Sequence, residues 1–206
     1  MNRIFALIPA AGQSRRMGCS KLLLPWDDVT GIEHLLRTLI RPEIVVVAVV
    51  IRADDQELQS VVARTTAFAI VPDRPPPEMR DSVEIGLRAI RDRFQPNDSD
   101  AWLLIPADHP LIEPRVLDAL LNRWAINNCD VLVPKLGDRR GHPTLLRWSL
   151  AAQVEQLPRD VGINALLRSS PDLVTEMPTD CESVLADLDT PEDYAFWQQK
   201  FTSQRT

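Results

Sequence analysis

The sequence is poor in what several protein classes require. Its three cysteines, Cys19, Cys129 and Cys181, are odd in number and far apart. That excludes a disulfide frame or a cysteine-based zinc site and fits free thiols in a reducing compartment. No apolar run approaches the length of a membrane span. Met1-Asn2-Arg3 leads directly into a short apolar run and lacks the layout of a signal peptide. A cytoplasmic protein with no membrane partner is therefore expected. Positive charge is not in excess: 23 Lys and Arg stand against 29 Asp and Glu, a net charge of −6. This argues against a general nucleic-acid binder. There is no internal repeat and no linker long enough to separate domains, so residues 1–206 read as one domain with a sizeable core.

Apolar runs alternate with helical patterns along most of the chain. Residues 4–8, 44–51, 67–71 and 102–105 are apolar without alternation, as expected of strands buried on both faces, and 130–133 resembles them. Helical patterns fall at 32–40, 54–65, 82–93 and 114–127. This order predicts an α/β fold with a mostly parallel, doubly wound, Rossmann-like sheet and helices on both faces. Further on, 144–147, 173–177 and 183–188 are short strand candidates. Thr190-Pro191-Glu192-Asp193 starts a helix to about Phe201, with Thr as cap, Pro at the first position and acids in the first turn. Pro75-Pro76-Pro77 forbids helix, and the stretch 72–78 reads as a rigid connector or a loop bordering a site.

In such folds ligands bind at the carboxyl ends of the strands. The first strand stops in Ala10-Ala11-Gly12, and Gln13, Ser14, Arg15, Arg16, Gly18 and Lys21 follow. Small residues let a ligand approach the backbone. Exposed N–H groups beside three cations would make a pocket for a polyanion; a solvated basic loop is the plain alternative. Neither common phosphate motif is present. Lys21 is preceded by Ser20, not by glycine, and the third glycine of G-x-G-x-x-G is missing.

Asp108, in Ile105-Pro106-Ala107-Asp108-His109-Pro110-Leu111, lies just past the carboxyl end of a central strand. A carboxylate there, facing a triphosphate, suits Mg²⁺; the same spacing also fits a helix-capping turn. Asp187-Leu188-Asp189-Thr190-Pro191-Glu192-Asp193 likewise fits a capping cluster or a pair of ligands. Arg139 and Arg140 precede Gly141-His142-Pro143, and two guanidinium groups could meet a substrate phosphate.

Taken together, these segments resemble the molybdopterin cytidylyltransferase and guanylyltransferase type of nucleotidyltransferase. The opening pattern of that family is L-A-A/G-G-x-S/G-x-R-M-G-x-x-K. Ala10, Ala11, Gly12, Ser14, Arg16, Met17, Gly18 and Lys21 fall on it in order. The family's D-x-P-L, G-H-P and D-x-D-T-P-E-D segments follow in sequence at Asp108, Gly141 and Asp187. The resemblance implies a nucleotide-diphospho-sugar transferase-like fold and Mg²⁺ on Asp108, with Asp189 as second ligand and Asp187 behind it. It implies a nucleotide site at residues 10–15, Lys21 and Ser82. Arg16, Lys21 and Asp108 would carry the chemistry, with Arg139, Arg140 and His142 toward the acceptor. A substrate phosphate is already ionised, so His142 is not required as a base. Glu78, Arg80 and Asn164 stand where the family usually has Gly, Ser and Arg, which bears on the acceptor more than on the reaction.

The expected reaction is transfer of CMP from CTP to the phosphate of molybdopterin, releasing pyrophosphate. Cytosine is expected because Ala11 carries a methyl group where the guanylyl branch has Gly, and because Asp187 and Asp189 follow the cytidylyl pattern. A molybdoenzyme or its maturation chaperone is the macromolecular partner such chemistry implies. The rivals are a GTP-using enzyme, a nucleotidyltransferase acting on another sugar or alcohol phosphate, a non-catalytic nucleotide-binding maturation factor and a dinucleotide-binding redox protein.

Overall fold

A computed structural model describes residues 2–12, 20–26, 28–158 and 161–203. In chain order the first half holds β1 (Ile4–Pro9), β2 (Pro25–Trp26), β3 (Val29–Thr30), α1 (Gly31–Thr38), β4 (Ile44–Val50), α2 (Gln56–Val62), β5 (Phe68–Ile70) and α3 (Met79–Phe94). There follow β6 (Ala101–Leu104), α4 (Pro114–Ile126), β7 (Val131–Leu136), β8 (Arg139–Arg140) and β9 (Thr144–Arg147). The chain closes with α5 (Ala151–Gln156), α6 (Asn164–Ser169), β10 (Val174–Pro178) and α7 (Pro191–Ser203). The main sheet runs β10-β7-β9-β6-β1-β4-β5, with β8 paired to β7 as a short hairpin. β1 pairs in parallel with β4 and β6, as do β4 with β5 and β10 with β7. Only β9 runs against its two neighbours in the main order. The predicted mostly parallel sheet is thus observed, and it carries one reversed strand.

Period-two alternation decides the two faces of the sheet. Ile4, Ala6 and Ile8 of β1 and Ala101 and Leu103 of β6 pack with Leu35 of α1, Leu58 of α2 and Leu120 of α4. Phe5, Leu7, Trp102 and Leu104 point the other way, onto Val83, Leu87 and Ile90 of α3 and Val154 of α5. Helices therefore cover both faces. Gly86 lets α3 lie close on β1: a Cβ there would come within 2.3 Å of Leu7 Cδ1. A third cluster joins Trp26, Leu111 and Leu188 to Tyr194, Trp197 and Phe201 of α7.

Local hydrogen bonds set the helix ends. Thr30 and Glu33 form a reciprocal capping box at α1. α2 begins only at Gln56, because Asp55 spends its carboxylate as the cap, accepting from Leu58 N at 3.1 Å. α3 begins three residues before the predicted Ser82, where Asp81 accepts from the Glu78 N–H at 3.0 Å. The stretch 183–188, predicted as a strand, is not one. It forms a 3₁₀ turn at Glu182–Leu185 and then an extended tail. Val184, Ala186 and Leu188 are buried at the strand-like period, Val184 in the main core and Ala186 and Leu188 with Trp26, Leu111 and α7, but no strand among the described residues pairs with the segment to complete a ladder.

β1 is tied to β6 at its start by one buried carboxylate. Asp100 is 4% exposed and accepts from Arg3 N at 2.9 Å, Arg3 Nη2 at 2.7 Å and Asn97 N at 2.8 Å. Burial opposes its charge, but these hydrogen bonds outweigh it and hold the carboxyl below its ordinary value of 3.8. A depressed value means that the stabilisation is complete above pH 3.8 and is lost as the pH falls through the folded-state value. Asp100→Asn should cost about 1–3 kcal/mol at neutral pH. Urea melts of both proteins should show the gap at pH 7 and a smaller gap at pH 3, where the wild type has begun to lose the same interaction.

Candidate functional site

The site forms at the carboxyl ends of β1, β4 and β6. Ala10 continues from β1, its N–H bonded to Val50 O at 2.9 Å, and Ala11 and Gly12 follow. A Cβ on Gly12 would meet no protein atom within 4 Å, so the space beside it is open to a ligand. These residues border a cavity of about 830 Å³, ample for a nucleotide. Pro75, Pro76, Pro77 and Met79 line it, as does Ser82, only 3% exposed. The proline run therefore borders the site as well as connecting β5 to α3. Gln13, Ser14, Arg15 and Arg16 lie outside the described residues, as do Met17, Gly18 and Cys19.

Lys21 opens a 3₁₀ turn at the cavity wall. Its Nζ donates to Asp189 Oδ1 at 3.2 Å and lies 3.9 Å from Asp108 Oδ2. Residues 168 positions apart meet here because the backbone of the C-terminal segment is pinned to the loop after β6: Leu188 N donates to Asp108 O at 2.9 Å. The capping role that the 187–193 segment also offered falls to other atoms. Asp193 Oδ2 accepts from Thr190 N at 2.9 Å and from Thr190 Oγ1 at 2.8 Å, and Asp193 N returns a bond to Thr190 Oγ1. Capping α7 therefore leaves Asp187 and Asp189 to the site.

Like charges crowd this corner. Burial first, then Asp108 and Asp189, push the Asp187 carboxyl up to about 6. Asp108 Oδ1 is buried and has no hydrogen-bond partner among the described residues. One donor atom each from Asp108, His109 and Asp187 lies within 4.8 Å of the other two. An orphaned carboxylate oxygen in such a donor set fits a divalent cation. Asp187, expected from sequence to stand behind an Asp108–Asp189 pair, takes part in this cluster, and Asp189 rests on Lys21 beside Asp108.

His142 reaches the same corner. Its backbone N–H donates to Val184 O at 2.8 Å, and its ring lies 4.6 Å from that of His109, centroid to centroid. Burial, with His109 beside it, lowers the His142 imidazole to about 3. A group so weakly basic is a poor general base, in line with an acceptor that needs none. Arg139 and Arg140 are exposed on β8 and do not line the cavity; Arg140 Nε donates to Glu176 Oε1 at 2.9 Å. The departure at Arg80 has a structural reason. Its guanidinium is buried and donates to the carbonyls of Leu157 and Pro158, both at 2.6 Å, closing the end of α5. Asn164 is exposed at the start of α6.

Two further residues stand at the site without a role expected from the sequence. Arg52, just beyond β4, lines the cavity and donates from Nη1 to Gly12 O at 2.7 Å and from Nε to Asp54 at 2.8 Å. Its position at the carboxyl end of a Val-rich strand was the available signal. His109 had one as well, being adjacent to the expected metal carboxylate.

A nucleotide-sized cavity at the carboxyl edge of this doubly wound sheet, walled by a glycine turn, a lysine and strand-end carboxylates, defines the nucleotidyltransferase class. The chain belongs to the family of the MobA-like NTP transferase domain, whose pattern matches residues 6–174. It is 22% identical to the molybdenum cofactor cytidylyltransferase of Escherichia coli (strain K12), over 98% of this chain and 99% of that one. It is 33% identical to the 2-C-methyl-D-erythritol 4-phosphate cytidylyltransferase of Azoarcus sp. (strain BH72), over 84% of this chain and 79% of that one. In fold it is similar to Rv0371c from Mycobacterium tuberculosis H37Rv, with a TM-score of 0.79, 22% identity and coverage of 97% and 99%. That protein has also been solved in complex with manganese. No helix among the described residues is long and apolar enough to cross a membrane.

Gly141 lets the loop before β9 press against the segment that carries the two aspartates. A Cβ there would lie 2.3 Å from Val184 O, a backbone atom that cannot step aside. Gly141→Ala should cost about 1–3 kcal/mol by overpacking. The measurement is a thermal melt beside turnover, and both should fall, because the same shift moves Asp187 and Asp189.

Proposed function

We propose that this chain transfers CMP from CTP to the phosphate of a molybdopterin-type acceptor and releases pyrophosphate, acting as one cytoplasmic nucleotidyltransferase domain. The observation that carries the reading is the meeting of Lys21, Asp108 and Asp189 at the wall of a cavity that begins at Gly12. An oxygen of the acceptor phosphate attacks the α-phosphorus of CTP. That P–O bond forms as the bond from the α-phosphorus to the α,β-bridging oxygen breaks, and the electron pair leaves with pyrophosphate. Such transfers depend on positioning and charge neutralisation.

Lys21 offsets the charge that grows on the α-phosphate and the leaving group, with Arg16 as its partner. Backbone N–H groups from Ala11 to Arg15 hold the outer phosphates, and Ser82 borders the nucleotide. A divalent cation, Mg²⁺ in the simplest case, on Asp108 and the acids at 187 and 189 would neutralise phosphate oxygens. Asp189 also holds Lys21 in place. Arg139, Arg140 and His142 are assigned to the acceptor by the family resemblance alone, since none of the three lines the cavity.

Cytosine is favoured by Ala11 and by the two acids of the C-terminal segment, and the two named relatives are both cytidylyltransferases. The G-H-P and D-x-D-T-P-E-D segments support the molybdopterin acceptor. The 33% identity to the methylerythritol phosphate enzyme supports a second reading, in which that sugar-alcohol phosphate is the acceptor. Pyrophosphate release with CTP, Mg²⁺ and each acceptor in turn decides between them.

Asp108→Ala should abolish metal-dependent turnover while the circular dichroism melt is kept, since the side chain stands at a strand end and not in the core. Lys21→Ala should lower kcat on the order of 10³-fold with a smaller effect on CTP binding. Near-normal kinetics in both variants would remove the assignment. For the base, CTP at about 100 times its Kd adds about 2.7 kcal/mol of stability. With Mg²⁺ present, the thermal shift should be several degrees larger with CTP than with GTP.

A further inference from the structure

We infer that His109 is a metal ligand, and that with Asp108 and Asp187 it makes a nitrogen-containing site that takes a first-row transition ion such as Mn²⁺ in preference to Mg²⁺. The inference rests on the proposed function for the place of the cation and goes beyond it in the ligand set and the metal selected.

Geometry carries the argument. His109 follows Asp108 directly, and its backbone N–H bonds to Pro106 O at 3.0 Å in a tight turn. That turn directs both side chains to the same corner. The His109 ring is largely buried, at 14% side-chain exposure, with Nε2 3.9 Å from Asp108 Oδ1. Its Nδ1 is buried and has no hydrogen-bond partner among the described residues, the same condition as Asp108 Oδ1. Buried polar atoms are nearly always satisfied, and the orphaned Asp108 Oδ1 faces His109 Nε2 at 3.9 Å, so a cation shared by those two atoms would satisfy it. Asp187 adds a carboxylate from the opposite segment, within 4.8 Å of both. The His142 ring packs on His109 and limits its rotation.

The donor types set the preference. Mg²⁺ takes oxygen ligands, keeps several waters and is held by one or two carboxylates plus phosphates. An imidazole nitrogen gains it little. Imidazole suits Fe²⁺, Ni²⁺, Cu²⁺ and Zn²⁺ best; Mn²⁺ shares the oxygen preference of Mg²⁺ but, standing in the same first-row series, gains more from a nitrogen ligand than Mg²⁺ does. Asp108 and Asp187 alone would make an ordinary Mg²⁺ site, and it is His109 that tilts the balance.

The test uses the full chain without nucleotide, with Mn²⁺ as probe. Pulsed electron paramagnetic resonance on the Mn²⁺-loaded protein should show modulation from one directly bound ¹⁴N. In His109→Asn that modulation should vanish, and Mn²⁺ affinity by calorimetry should fall about tenfold or more, at least as much as loss of an outer-shell partner costs a metal site. Mg²⁺ affinity should change far less. Absence of ¹⁴N modulation in the wild type overturns the inference whether or not the variant folds. Persistence of the modulation in folded His109→Asn also overturns it, because the nitrogen would then come from elsewhere. The proposed function stands apart from either result, since pyrophosphate release from CTP with Mg²⁺ tests it separately.

Discussion

The backbone hydrogen bond from Leu188 N to Asp108 O holds the site together. It joins the loop after a central strand to a segment some 80 residues later in the chain. Asp187 and Asp189 flank the donor, so one short bond delivers both carboxylates to the corner where Asp108 already stands. Two further contacts hold the same segment: His142 N bonds to Val184 O, and Gly141 lies against the Val184 backbone. From the far side, α7 closes over it through Tyr194 and Trp197, packed with Trp26 and Leu188. The segment lacks a strand's ladder, so these contacts take the ladder's place.

Electrostatics follow from that placement. Lys21, Asp108 and Asp189 line one corner of a large cavity, and Asp187 lies close to Asp108. Lys21 bonds to Asp189 and approaches Asp108, while burial and the two neighbouring carboxylates hold Asp187 above its ordinary value despite Lys21. Such an acid-rich corner beside the open space at Gly12 is suited to charges of both signs: a cation on the carboxylates and a polyanion along the strand-end backbone. Arg52 belongs to the same design. By bonding to the Gly12 carbonyl it fixes the peptide at which the strand gives way to the loop.

Much of the fold was legible in the residues. Non-alternating Val and Ile runs marked strands buried on both faces, and Thr190-Pro191-Glu192-Asp193 marked the start of α7 where it is observed. The stretch 183–188 misled because burial at every second residue is what a strand requires, and a tail wedged between loops and a helix meets the same requirement. α3 began earlier than expected because the cap is made by two acids, Glu78 and Asp81, and not by Ser82.

The sequence by itself determined the class of fold and the family, since both rest on local order: which runs are apolar, where glycine and proline interrupt them, and which short motifs follow which. It also named Asp108, just past the end of β6, and Lys21, in the stretch that follows β1. What it left to the tertiary structure was the division of labour among side chains distant in sequence. That Asp189 meets Lys21 while Asp187 joins Asp108 and His109, that Arg80 closes a helix and not the cavity, and that Pro75 to Pro77 wall the site were decided by packing. The physical reason is that a carboxylate or guanidinium takes its role from the charge and burial around it, and those are supplied by elements the local sequence does not contain.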